Sequence, residues 1–162
     1  MSDFRYEVEI RVSPARVWSV LLDVERWPEW TTSVTRIQRM EVGAISMGSR
    51  VRIWQPRLRP AVWCVTSLDE RRRIFAWTTR AFGVKIIGRH QVEALKNSFT
   101  RLCLSIEYSG PLSAVVTRFY GDLSRDYITR EGDGLKNFCE NLPASHPAAL
   151  LAEHSHPTAQ TS

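Results

Sequence analysis

Residues 12–30, VSPARVWSVLLDVERWPEW, decide how the rest of the chain is read. Ser13 is a helix-capping residue, and Pro14 is pre-set for the first helical position, where its missing N–H leaves nothing unpaired. Val17, Val20, Leu21 and Val24 then recur on one side at helical spacing. Asp23 is placed to cap a second short helix, which Pro28 stops between Trp27 and Trp30. Two short helices thus follow a first strand directly and end in a Trp-Pro-Glu-Trp corner. Nearly everything beyond this corner reads as strand, until one long helix near the end.

Upstream, Phe4, Tyr6, Val8, Ile10 and Val12 alternate with Arg5, Glu7, Glu9 and Arg11, the pattern of a half-buried strand. Downstream, 34–42 reads as a second strand whose imperfect alternation suggests a bulge, and 50–55 as a third. Pro56 and Pro60 make the intervening residues a loop, because proline cannot serve a central ladder. Segments 61–68 and 73–79 pair across a turn, and 84–95 and 99–108 form a last hairpin. Short links between seven strands predict a curved, meandering antiparallel sheet.

Residues 111–141 read as a helix. Leu112, Val116, Phe119, Tyr120, Leu123, Tyr127 and Phe138 fall on one broad face, opposite Arg118, Asp122, Arg125, Thr129 and Lys136. Such a helix is about 45 Å long, against about 27 Å for an eight-residue strand, so it crosses several strands. Gly121, Gly132 and Gly134 each cost it about 1 kcal/mol relative to alanine. On the apolar face Gly134 signals either close packing on the sheet or space left open, and Gly132 with Gly134 allows a bend. Residues 142–162 lack periodicity and are expected to form a disordered tail, whose His146, His154 and His156 have no scaffold for a metal. The expectation is one α+β domain over 1–141.

The chain has 162 residues, 43% hydrophobic and 24% charged, enough to bury roughly two-thirds of its unfolded surface around one core. No run of about 18 apolar residues is present, so no integral membrane contact is expected. The first residues lack the apolar core of a secretory signal, and a cytoplasmic location is expected. Cys64, Cys103 and Cys139 are scattered without metal-ligand spacing and read as buried structural thiols. The net charge of +5 is spread singly along strands, apart from Arg71-Arg72-Arg73 at a turn. No helix carries a basic stripe, so nucleic acid is not an expected partner. Monomer and homodimer both remain open.

A curved sheet wrapped around a helix leaves a cavity, expected in the several-hundred Å³ range of ligand sites. Alternation from Val84 puts Val84, Ile86, Gly88, His90, Val92 and Ala94 on the inner face, where His90 is the one ionisable group. Two readings of His90 stand: a general acid/base or hydrogen-bond donor to a ligand carbonyl, and a core histidine satisfied by a neighbouring hydroxyl. Tyr108 and Tyr127 either present hydroxyls to the cavity or complete the core. Trp27 and Trp30 either frame the cavity mouth or brace the two short helices, and the corner reads as scaffold. No inward strand face carries a carboxylate. No nucleotide-binding, nucleophile-elbow or zinc motif is present, and neither cofactor nor metal is expected.

The quoted stretch, Gly48-Ser49-Arg50-Val51, Phe75-Ala76-Trp77, a Gly88-Arg89-His90 turn into an apolar strand, and Glu131-Gly132-Asp133-Gly134-Leu135-Lys136 together resemble the START-related SRPBCC superfamily, in its polyketide cyclase/dehydrase-like branch. The resemblance runs from Phe4 to about Glu140. It implies a helix-grip fold with a hydrophobic cavity under the long helix, in families that bind lipids, sterols, quinones, polyketides or hormones, cyclise polyketides, or bind chaperones. Three functions follow as expectations. The first is binding or transport of a small hydrophobic ligand, walled by Trp54, Trp63, Phe75, Trp77 and His90, with Leu104, Tyr108, Phe119, Leu123 and Tyr127. The second is a cyclase or dehydrase with His90 as catalytic acid/base. The third is a chaperone-regulator type interaction module. An ordered structure with no cavity above about 200 Å³ would sink both pocket readings.

Overall fold

The computed structural model describes residues 2–142, so most of the expected tail lies outside the described residues. The elements are β1 (Ser2–Ile10), α1 (Pro14–Leu22), a 3-10 helix (Val24–Glu29), β2 (Arg36–Arg39), β3 (Arg50–Trp54), β4 (Ala61–Asp69), β5 (Ile74–Ala81), β6 (Val84–Ala94), β7 (Thr100–Ser109) and α2 (Ser113–Asn141). The strands form one antiparallel sheet in the order β1-β7-β6-β5-β4-β3-β2. This is the helix-grip architecture, with β7 leading back to β1 and α2 lying along the inner face. The expected second strand is shorter than its sequence suggests, and the register shift falls instead in β4, between Val65 and Ser67.

Local chemistry explains the quoted stretch with two corrections. The Ser13 side chain accepts from the Arg16 amide at 3.4 Å, with Pro14 opening α1 and Val17, Val20 and Leu21 buried beneath it. Asp23 makes no side-chain cap; its carbonyl accepts from the Arg26 amide at 3.0 Å. Pro28 does not stop the 3-10 helix but sits within its last turn, where the Trp27 carbonyl accepts from the amides of Trp30 and Thr31.

Helix α2 runs unbroken from Ser113 to Asn141, rotated relative to the face its large apolar residues predict. The buried stripe is Gly121, Ser124, Ile128, Gly132, Leu135 and Cys139, with Tyr127 beside it. Phe119 is 77% exposed and Tyr120 39%. Small residues win the interface because they admit a closer approach. A Cβ at Gly121 would lie 3.0 Å from the Phe4 ring, and one at Gly132 2.5 Å from the Tyr6 ring. At Gly134 it would lie 2.0 Å from the Trp30 carbonyl oxygen, so this glycine is a close-packing device. Its partner is the Trp-Pro-Glu-Trp corner rather than the sheet. Among the cysteines only Cys139 is fully buried; Cys64 and Cys103 are half-buried.

Candidate functional site

The centre of the inner sheet face is built by register. His90 on β6 lies opposite Phe75 on β5 and Leu104 on β7, and Trp77 lies opposite Gly88. Gly88 is in mid-strand, not in a turn, and a Cβ there would come within 2.8 Å of the Trp77 indole nitrogen. The missing side chain lets Trp77 lie across its neighbour strand. From the 3-10 helix, Trp27 enters the same space, its indole N–H donating to the Leu21 carbonyl at 3.0 Å. His90 is thus packed by aromatic rings, with centroids at 5.3 Å (Phe75), 5.4 Å (Trp27) and 5.7 Å (Trp77).

One partner in this apolar shell is a carboxylate. His90 Nε2 lies 2.6 Å from Glu131 Oε1, with the two side chains only 5% and 13% exposed. Glu131 comes from α2 and not from a strand, so the absence of inward strand carboxylates did not reveal it. An ionised carboxylate only accepts, so the pairing puts a proton on Nε2. His90 Nδ1 and Trp63 Nε1 are buried with no hydrogen-bond partner among the described residues. Further along the helix, the Tyr108 hydroxyl pairs with Ser124, whose own hydroxyl donates to the Tyr120 carbonyl at 2.9 Å. The Tyr127 hydroxyl donates to the Pro56 carbonyl and ties the β3–β4 loop to α2. Burial pushes both phenols above their ordinary pKa, partly offset at Tyr108 by Ser124 and at Tyr127 by Arg57 and Arg130.

These side chains enclose a cavity of about 110 Å³, partly open to solvent. Of the expected wall, Trp63, Trp77, His90, Leu104, Tyr108 and Tyr127 line it, and Phe75 packs beside His90 from the neighbouring strand without lining it. Three expectations are corrected. Phe119 points outward, Leu123 lies off the lining, and Trp54 sits on the other sheet face beneath the Arg36 guanidinium, 4.6 Å from its ring centroid. Trp27, read as scaffold, lines the cavity, as do Glu131 and Ser124. The volume is also a correction. It falls below the several hundred Å³ expected, below the 200 Å³ limit set above, and below the roughly 150 Å³ of a dry cavity that takes benzene. Trp27, Trp63 and Trp77 fill the space that the sheet curvature leaves, and the glycines of α2 draw the helix down upon it.

A family model described as polyketide cyclase / dehydrase and lipid transport matches residues 1–142. The chain belongs to that family. No curated protein matches it by sequence. Among solved structures it resembles the Zhui aromatase/cyclase from Streptomyces sp. R1128, with TM-score 0.67 at 16% identity, covering 91% of this chain and 97% of that one. It also resembles TTHA0849 from Thermus thermophilus, with TM-score 0.70 at 16% identity, covering 90% of this chain and all of the other. The hypothetical protein jhp0584 from Helicobacter pylori gives TM-score 0.74 at 16% identity, covering 85% of this chain and 88% of that one. At such identities the shared property is the fold. This family member keeps the ligand-binding architecture with a nearly filled cavity. None of its described helices is long and apolar enough to cross a membrane.

Proposed function

We propose that this protein binds a small, largely apolar ligand whose single polar group meets the His90–Glu131 pair. The observation that carries this reading is a histidine–carboxylate contact of 2.6 Å inside an aromatic-walled cavity. Aromatic rings supply contact area, while His90 Nδ1, an acceptor, and Trp63 Nε1, a donor, are buried without partners, and a ligand hydroxyl would satisfy either once the rings around them shift. A cavity of about 110 Å³ sinks the two pocket readings as expected from the sequence, in which a whole lipid or polyketide is enclosed, and the ligand proposed here is smaller. The ligand fits as a single ring, or as the head of a longer molecule whose remainder stays at the opening. Titration calorimetry with phenol and toluene, which differ in carrying a hydroxyl or a methyl on the same ring, tests this. Phenol is expected to bind several-fold more tightly, and the H90F/E131Q variant to lose the preference. Equal affinities in the native protein would overturn it.

The same pair favours a second reading, an enzyme that moves a proton on a small ketone rather than the cyclase or dehydrase of a whole polyketide expected from the sequence. With Glu131 holding the proton on Nε2, His90 Nδ1 is the free nitrogen that accepts a proton from carbon next to a ligand carbonyl. Acetophenone in deuterated water is a suitable probe. The native protein is expected to accelerate exchange of its methyl protons, and H90Q and E131Q to lose that acceleration. No acceleration by the native protein would remove this reading and leave binding in place.

A further inference from the structure

The apolar stripe that does not face the sheet is left in solvent. Leu112, Val115 and Phe119 are 47%, 53% and 77% exposed, and their spacing puts them on one face of the first turns of α2. Beside them is the tip of the β5–β6 turn, where Phe82 takes a positive φ of 52° and is 72% exposed. A Cβ at Gly110 would lie 2.6 Å from the Gly83 carbonyl oxygen, so this tip touches the chain entering α2. The β3–β4 loop leaves the sheet at the same end, because β3, β5 and β7 run in the same direction.

The charge of this end is one-sided. Segments 55–61, 80–85 and 109–120 contain Arg57, Arg59, Arg80, Lys85 and Arg118 and no aspartate or glutamate. None of those five cations has an ion-pair partner among the described residues. Of the bordering acids, Asp122 is paired with Arg125, Asp126 with Arg130 and Asp3 with Arg5, while Glu107 lies on the outer sheet face that Arg80 and Lys85 share, which leaves this end net basic.

We propose that this end docks on an anionic lipid bilayer, with Phe82 and Phe119 entering the interface and the five cations meeting the headgroups. Exposed large apolar side chains within a net basic surround, five cations against Glu107, match both halves of that interface. A symmetric contact with a second copy would set like charges against each other, which disfavours it as the occupant. Leu58, which lines the cavity, belongs to the same end, but the proposal does not depend on what the cavity binds.

Co-sedimentation of the full chain tests it, with vesicles of phosphatidylcholine alone and of equal parts phosphatidylcholine and phosphatidylglycerol. Binding is expected to the mixed vesicles only, and to weaken as salt is raised. The R57Q/R80Q/R118Q variant is expected to lose about fivefold in affinity for each charge removed. The F82S/F119S variant is expected to lose sedimentation while keeping the native melting temperature. Equal binding to both vesicle types, or to neither, overturns the proposal. So does an F82S/F119S variant that changes only the oligomeric state, which would assign the surface to a second copy.

Discussion

His90 and Glu131 answer for each other, and a substitution at one exposes what the other costs. In H90F the Glu131 carboxylate keeps its place among aromatic rings without a partner, a loss of about 1–3 kcal/mol. The H90F/E131Q variant removes the stranded charge and is expected to recover part of that loss in denaturant unfolding. An H90F protein as stable as the native one would show that the pair contributes nothing to folding. The two residues were unequally legible. Strand alternation has a period of two, so an apolar run along β6 assigns His90 to the inner face directly. Glu131 sits on a helix, where its facing depends on which stripe of α2 meets the sheet.

That choice belongs to the elements. Sequence reading ranks helix faces by apolar bulk, and α2 has two competing stripes, one of large side chains and one of Gly, Ser, Ile and Leu. The small stripe is buried because its backbone comes within reach of the Trp30 carbonyl and the Phe4 and Tyr6 rings. Gly134→Ala gains about 1 kcal/mol of helix propensity but sets a Cβ 2.0 Å from a backbone oxygen that cannot rotate away. Overpacking of this kind costs about 1–3 kcal/mol or more, so the variant is expected to unfold at lower denaturant. Gly121→Ala meets the end of the Phe4 ring at 3.0 Å, which needs a shift of only a few tenths of an ångström. It is expected to stay within about 1 kcal/mol of the native protein. Equal effects at the two sites would contradict this account of the interface.

For the molecule as a whole, the grip of α2 on the edge strand has its own pH dependence. Tyr6 on β1 donates to Asp133 on α2, and burial, that hydrogen bond and the nearby carboxylate raise its pKa from 10.0 to about 12. A pKa raised on folding means a contribution present in full below about 10 and lost as pH rises toward about 12. Denaturant midpoints measured across that window are expected to fall for the native protein and to fall less for Tyr6→Phe. Some fall remains in the variant, because burial also raises Tyr108 and Tyr127. Identical slopes would remove Tyr6 as a cause. By itself the sequence determined the order of elements, the sheet, the inward facing of His90 and the family, because strand periodicity and capping chemistry are local. Only the tertiary structure decided the rotation of α2, the entry of Glu131 and Trp27 into the site, and a cavity nearly filled by three indoles. Those outcomes depend on how closely two surfaces approach, and that distance is set jointly by residues far apart in the chain.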